Sequence, residues 1–387
     1  MVINKIRIKI KNIFLLFLCF LIFFIRGKSN KKIDNPNKVL IAQLAKIGDM
    51  VCATPMFKAV KKKYPKSKLY VLGNYLNKEL LQGNLDVDKY IIFDNNIFKL
   101  IKILNKEKID FACLTGPDFN CLATLYISGI SSITAPWIKG GFSPYLTKPY
   151  RCLLKFVINK EHIMGNYAPR EYLKLLEPIE ILDKNTRKHL SFSGNAEDKI
   201  LNFFSNNNIL TGTDFIVGIA PSAGNKIKLW QRNKFAQLAD FIYKKYNAKI
   251  IIIGGQKDKQ VAEEMTRFLN KDIKFIKCLG FFNLDELKAL ISKLTIFISV
   301  DSGPIYIAEA FNIPTIDIVG PMDDKEQPPM GKLNKIVKIE DRKHPELHVM
   351  NSRIYNKKEA KRQISEITVD MVINKFEQLM LNLIPKI

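Results

Sequence analysis

At 387 residues, 47% of them hydrophobic and 25% charged, the chain is long enough for two separate cores and too apolar for extended disorder. Its 61 Lys+Arg against 37 Asp+Glu leave a formal charge of +24, but no basic stripe is interleaved with aromatics and no recognition-helix pattern occurs, which argues against nucleic acid and for anionic ligands or an anionic membrane. Six scattered cysteines with no C-x-x-C pair, and four dispersed histidines of which His344 and His348 are separated by Pro345, argue against a disulfide framework and against a zinc site.

Residues 13–25 are an unbroken apolar run, with Lys5, Arg7, Lys9 and Lys11 before it and Arg26, Lys28, Lys31 and Lys32 after it. As a helix the run covers roughly 20 Å, short of the ~30 Å hydrocarbon core of a bilayer, so it is expected to dip into a membrane rather than span one. A secretory signal shares the basic start and the short apolar stretch, but the basic flank that follows lacks a small-x-small cleavage pattern. Basic residues on both sides favour an anionic cytoplasmic leaflet, and residues 1–37 are predicted to be a membrane tether followed by a polar linker.

Residues 38–43 form a β run that ends in a loop carrying Gly48 and Asp49, and a helix follows with Pro55 near its first turn. Runs at 69–72, 90–93 and 109–114 read as further buried strands, separated by helical stretches such as 97–105, and this alternation predicts a parallel sheet wrapped by helices. From 131 to 160 the pattern breaks into Pro136, Gly140-Gly141, Pro144 and Pro149 among aromatics, which reads as a long irregular insertion, either an acceptor-side loop or a plain surface excursion. A helix over 167–181 then closes a first domain of residues 38–185.

The second half repeats the theme. Strands at 214–220, 248–253, 274–278, 295–300 and 314–319, with helices at 233–246, 258–269 and 284–292 between them, predict a second Rossmann-like domain over 186–350. A last segment, 351–387, carries one helical stretch over 357–383 that is expected to pack back across both domains. Neither half shows a G-x-G-x-x-G fingerprint, so hydride transfer is disfavoured.

Open α/β sheets bind ligands outside the carboxyl ends of their strands, and the candidate residues fall at such ends. The stretch Val300-Asp301-Ser302-Gly303-Pro304 stops a strand at a carboxylate and starts a helix, leaving backbone N–H groups that suit a phosphate, although a plain βα turn uses the same residues. Asp49 can accept a proton from an incoming hydroxyl, or it can simply cap its helix. Pro221-Ser222-Ala223-Gly224 follows another strand with small residues that let backbone donors approach an anion. Lys228 lies just beyond, where its charge can meet a leaving diphosphate.

Together these segments resemble the family 9 glycosyltransferases, the group that contains the ADP-heptose:lipopolysaccharide heptosyltransferases. The matching pieces are 38–43 leading into Ile47-Gly48-Asp49 and Thr54-Pro55, then Leu175-Leu176-Glu177-Pro178, 219–224 leading into Lys228-Leu229-Trp230, 251–255, and 300–303 with Ala308, Ala310 and Gly320-Pro321. They cover about residues 38–329. The resemblance implies an α/β chain of GT-B type, two Rossmann-like lobes with parallel sheets facing a central cleft, preceded in this chain by an N-terminal hydrophobic helix. It also implies inverting, metal-independent transfer without a cofactor. The donor would be a nucleotide-diphosphate sugar, an ADP-sugar being favoured, and the sugar a heptose or another hexose-like unit. The acceptor would be lipopolysaccharide or another lipid-linked envelope glycan at the cytoplasmic face of the inner membrane.

By the same resemblance Asp49 is the base that deprotonates the acceptor hydroxyl. Ser222, Gly224 and Lys228 would hold the donor's diphosphate together with the Ser302 and Gly303 amides, and Asp301 would face the donor sugar. Where the family usually has a histidine this chain has Tyr306, which can donate one hydrogen bond to a phosphate but cannot supply an imidazolium charge. A nucleotide-sugar epimerase on the same two-lobed plan and a non-catalytic nucleotide-sugar-binding protein are the rival expectations.

Overall fold

The computed structural model describes residues 2–383, with side chains from Ile10 onward, so the basic residues Lys5, Arg7 and Lys9 lie outside the described side chains. The chain divides into two compact units. The first comprises Met1–Lys78, Leu85–Arg187 and Val349–Arg353, and the second Glu79–Asn84, Lys188–His348 and Ile354–Ile387.

The first unit is built on six parallel strands: β1 (Lys38–Ala42), β2 (Lys68–Gly73), β3 (Lys89–Ile92), β4 (Phe111–Leu114), β5 (Ser132–Lys139) and β6 (Ile158–Ile163). They lie in the order β3-β2-β1-β4-β5-β6. Val39, Leu40, Ile41 and Ala42 are all buried, the continuous apolar run that a strand covered on both faces requires. Residues 131–160, expected to be irregular, instead supply β5, the helix Lys148–Leu153 and the start of β6. Pro136 concealed the strand, because proline cannot donate to a ladder. In the fold β5 pairs with β4 only through Ser132, Ile133 and Thr134, so Pro136 lies past that neighbour and its missing N–H costs no bond to it.

A 25-residue helix, Val2–Arg26, packs against the helices Phe119–Ile127 and Lys148–Leu153 of the first unit. Leu15 and Cys19 are buried in the same apolar cluster as Leu122, Tyr126 and Leu153. Phe23 stacks on Phe156 with ring centroids 4.5 Å apart, and Phe20 meets the same ring edge-on at 5.2 Å. At the helix end the Arg26 guanidinium donates to the Tyr126 carbonyl at 2.6 Å and sits 4.9 Å above the Tyr126 ring. The segment expected to be a tether is therefore joined along one face to the core of this unit. Among the described residues no helix is long and apolar enough to cross a membrane.

The second unit carries β7 (Ile216–Ala220), β8 (Lys249–Gly254), β9 (Phe275–Leu279), β10 (Ile296–Val300), β11 (Thr315–Ile318) and β12 (Asn334–Val337), all parallel, in the order β12-β11-β10-β7-β8-β9. Numbered from its own first strand, each sheet has the order 3-2-1-4-5-6. The order therefore reverses between β1 and β4 in one unit and between β7 and β10 in the other, and such switch points are where doubly wound sheets open a crevice for ligands. Lys288, fully buried, draws the segment Glu79–Asn84 into this unit by donating to the carbonyls of Leu80 (2.9 Å), Gln82 (2.8 Å) and Ser191 (2.5 Å).

The helical stretch expected over 357–383 is two helices, Lys357–Ser365 and Val369–Leu383. The break has a local cause. Lys234 Nζ donates to both the Ser365 and Ile367 carbonyls at 2.7 Å, and the indole of Trp230 donates to the Ile367 carbonyl at 2.9 Å, so side chains take over acceptors that a continuous helix would have used. Ile364, Phe376 and Leu379 from these helices join the second unit's core. Gly320, just past β11, permits the packing: a Cβ there would lie 2.6 Å from Ile364 Cβ and 3.0 Å from its Cα.

Candidate functional site

The loop after β1 is fixed by side-chain amides. Gln43 Oε1 accepts from the Ala45 N–H at 3.0 Å while its Nε2 donates to the Asp49 carbonyl at 3.3 Å. Asn74 and Asn77 both donate to the Ala45 carbonyl, at 2.8 and 2.9 Å. Gly73 makes room for this crossing of strand ends, since a Cβ on it would overlap the Tyr90 hydroxyl and stand 2.9 Å from the Gln43 carbonyl. Asp49 is half-buried in the first turn of the helix Ile47–Lys63, and its Oδ2 accepts from the Lys46 N–H at 3.2 Å. The N-cap position is Lys46, so Asp49 acts not as the N-cap residue but as the third-residue partner of a capping box, and this pins a carboxylate at the β1/β4 switch point, where the helix N-terminus favours its charge.

At the β7/β10 switch point the second unit gathers most of the other predicted residues. Trp230 is buried and stacks edge-on against Phe235 at 4.9 Å, anchoring the short turn Lys226–Lys228 that precedes it. Lys228 Nζ lies 2.7 Å from Asp301 Oδ2. Ser222 is buried at the end of β7, whereas Gly224 is exposed in the same loop. On β10 the Ser299 hydroxyl donates to the Ala220 carbonyl at 3.1 Å and stands 3.0 Å from the Ser302 hydroxyl, linking the two strand ends. Ser302 is the cap of the helix Gly303–Ala310. Pro304 has no N–H to offer and Ile305 commits its own to the Ser302 carbonyl, which concentrates the first turn's donor capacity on Gly303.

Tyr306, expected to contact the donor in place of a histidine, is only 4% exposed and donates its hydroxyl to Asp301 Oδ1. Both oxygens of Asp301 are therefore engaged, one by a cation and one by a phenol. Lys188 Nζ sits 5.7 Å above the Tyr306 ring and 2.6 Å from Glu309 Oε2. Burial raises the Glu309 carboxyl against the opposing pull of Lys188. Asp317 on β11, paired in register with Ser299, is fully buried, and its Oδ1 has no hydrogen-bond partner. Burial, then the nearby charge of Asp301, hold its carboxyl well above the ordinary carboxylate range, with Lys228 pulling the other way.

Sequence reading passed over Asp317, Lys188 and Glu309. A carboxylate in the otherwise apolar run Thr315–Ile318 was the available signal for the first, whereas the Lys188–Glu309 pair joins distant positions and left none. The glycines after β8 serve local structure, with Asp258 Oδ2 accepting from the Gly255 N–H at 2.8 Å. One group among the described residues has metal-ligand geometry, Asp323, Glu326 and His348, whose ligand atoms lie within 4.8 Å of one another. Asp323 at 3.3 Å and Glu326 at 3.4 Å from Nδ1 push His348 up to about 9, which favours the ring as the cation shared between the two carboxylates.

Residues 149–355 match the family described as glycosyltransferase family 9 (heptosyltransferase). The chain belongs to this family. It is 24% identical over 357 residues to lipooligosaccharide heptosyltransferase 2 of Haemophilus influenzae, spanning 88% of this chain and 99% of that protein. The structure of the E. coli ADP-heptose lps heptosyltransferase II, at 19% identity, superposes with a TM-score of 0.70 over 89% of this chain and 99% of that one. The iron-containing dodecameric glycosyltransferase TibC of enterotoxigenic E. coli is more distant, with 14% identity and a TM-score of 0.51 over 90% of this chain and 78% of that one. The structural likenesses establish the GT-B fold of two parallel six-stranded sheets. Family 9 members are glycosyltransferases, and so is this chain.

Proposed function

We propose that this family 9 chain moves a heptose or another hexose-like sugar from a nucleotide-diphosphate sugar to lipopolysaccharide or another envelope glycan, with inversion and without a divalent cation at the donor. The observation that carries this reading is the Lys228–Asp301 pair, 2.7 Å apart at the β7/β10 switch point and next to the start of the Gly303–Ala310 helix. Lys228, Ser222 and the Gly303 N–H, in the loop that also carries Gly224 and the turn at Ser302, supply positive charge and donors where a departing nucleotide diphosphate collects electrons. Asp301 orients the Lys228 ammonium and offers its carboxylate edge to the sugar's hydroxyls. Tyr306 is a positioning residue that holds Asp301.

Asp49 takes the proton of the acceptor hydroxyl while that oxygen forms its bond to the anomeric carbon. The carbon–oxygen bond to the diphosphate breaks on the opposite face, its electron pair leaving with the nucleotide, and the configuration inverts. An ADP-sugar is the favoured donor, in keeping with the ADP-heptose named for the E. coli structure. The acceptor is lipid-linked and meets the enzyme at the cytoplasmic face of the inner membrane. A chain of formal charge +24 suits both an anionic acceptor and an anionic leaflet.

The test is direct. Purified full chain is screened for thermal stabilisation by ADP-, UDP-, GDP- and CMP-sugars, and the stabilising donor is then supplied with core-truncated lipopolysaccharide in the presence and absence of EDTA. Transfer that survives EDTA, with the product anomer inverted relative to the donor, supports the reading. Sugar epimerisation without acceptor, donor binding without product, or abolition of transfer by the chelator would each overturn the corresponding part.

A further inference from the structure

From Ile10 onward the helix Val2–Arg26 has two apolar faces, and the first unit covers only one of them. The covered face is centred on Leu15 and Cys19. On the opposite side Ile10, Ile13, Phe14, Phe17, Leu21 and Phe24 recur at three- and four-residue spacing, every one of them exposed, and Ile25 extends the stripe. Phe24 and Ile25 are 82% and 85% exposed. No polar side chain interrupts this stripe, whereas the solvent side of an ordinary surface helix is polar.

We propose that this stripe is a membrane-docking surface on which the helix lies flat in the interface of an anionic bilayer, its long axis parallel to the membrane plane. Three observations lead there. Docking along Leu15, Cys19, Phe20 and Phe23, with Arg26 bound to the Tyr126 carbonyl, fixes the roll of the helix so that the stripe faces away from its own unit. The same docking opposes end-on insertion, which would strip Leu15 and Cys19 from their core. Basic residues accompany the stripe: Lys11 and Lys28 are exposed at its two ends, and Lys148, Arg151 and Lys155 are exposed on and just after the helix packed beside it. A second copy of the chain would bring like charges together at such a surface, whereas anionic headgroups neutralise them.

This proposal deepens the membrane-side reading above and rests on it only for the identity of the leaflet. Flotation of the full chain with vesicles of phosphatidylcholine alone, or with about one third phosphatidylglycerol, reads the interaction. The chain is expected to float with the anionic vesicles. Phe14→Ser, Phe17→Ser and Phe24→Ser combined should weaken that binding by about tenfold or more, and Lys148→Glu with Arg151→Glu and Lys155→Glu should abolish the preference for anionic lipid. The unfolding midpoint and turnover on a detergent-free soluble acceptor are expected to stay unchanged in the serine variant.

The proposal is overturned if the wild-type chain stays with the soluble fraction, if the serine variant floats as well as wild type, or if light scattering shows a dimer that the serine changes dissociate. Turnover on the soluble acceptor is measured in parallel. Loss of docking with intact transfer then counts against the surface alone, and absence of transfer with intact docking counts against the enzymatic reading alone.

Discussion

Lys228 and Asp301 are paired at 2.7 Å, and Tyr306 holds the second carboxylate oxygen of Asp301. In the proposed mechanism Lys228 faces the departing diphosphate, so Lys228→Ala is expected to lower kcat by about 10²- to 10³-fold. Because it also leaves the buried Asp301 without its cation, a stability loss of about 3–5 kcal/mol is expected beside it. Steady-state transfer assays beside thermal denaturation measure both. Tyr306→Phe leaves Asp301 Oδ1 without its phenol donor, and a buried acceptor that loses its partner costs about 1–3 kcal/mol of stability. Donor KM should change less than stability in that variant, as measured by denaturant titration and initial rates. Asp317 has the opposite leaning. Its folded-state pKa is raised, so the folded chain binds the extra proton, and the resulting penalty is absent below about 3.8, grows as pH rises, and levels off above the folded pKa. Asp317→Asn is therefore expected to match wild type in strongly acidic buffer and to be more stable at neutral pH; a variant less stable across the whole range contradicts this. Asp301-Ser302-Gly303 could be recognised in the sequence because strand end, turn and helix start are contiguous. Asp317 showed only as a carboxylate in an apolar run, because the groups that set its charge lie on and beyond the neighbouring strand β10.

Whole elements show where a linear reading stops. Strands β1, β4, β7 and β10 were evident as apolar runs because both faces are covered. Strand β5 was hidden by Pro136, whose position relative to β4 is a property of strand length rather than of composition. Two separate C-terminal helices looked like one, since their apolar spacing continues across 366–368 and the interruption comes from Trp230 and Lys234 on a distant helix and loop. The run 13–25 is apolar all round in the sequence, which concealed that one face of it belongs to a protein core and the other does not. Gly320 offers a test at this scale. With Ile364 atoms at 2.6–3.0 Å from a built Cβ, Gly320→Ala should displace the Lys357–Ser365 helix and cost about 1–3 kcal/mol, read by chemical denaturation, while leaving donor affinity near wild type.

Across the molecule the same strand order is used twice, and each unit carries a different charged group at its own switch point: a carboxylate in a capping box in the first, a lysine beside a helix start in the second. In the proposed mechanism the first removes the acceptor's proton and the second stabilises the departing diphosphate, so the two functions are expected to be lost independently. Asp49→Asn is the decisive variant, because the amide keeps an oxygen for the Lys46 N–H while it removes the negative charge and the capacity to take a proton. Measured side by side with wild type, it should retain thermal stabilisation by the nucleotide-sugar while its kcat on the lipid-linked acceptor falls by about 10²- to 10⁴-fold. Wild-type turnover in the asparagine variant, or loss of donor binding in step with loss of transfer, would contradict the assignment.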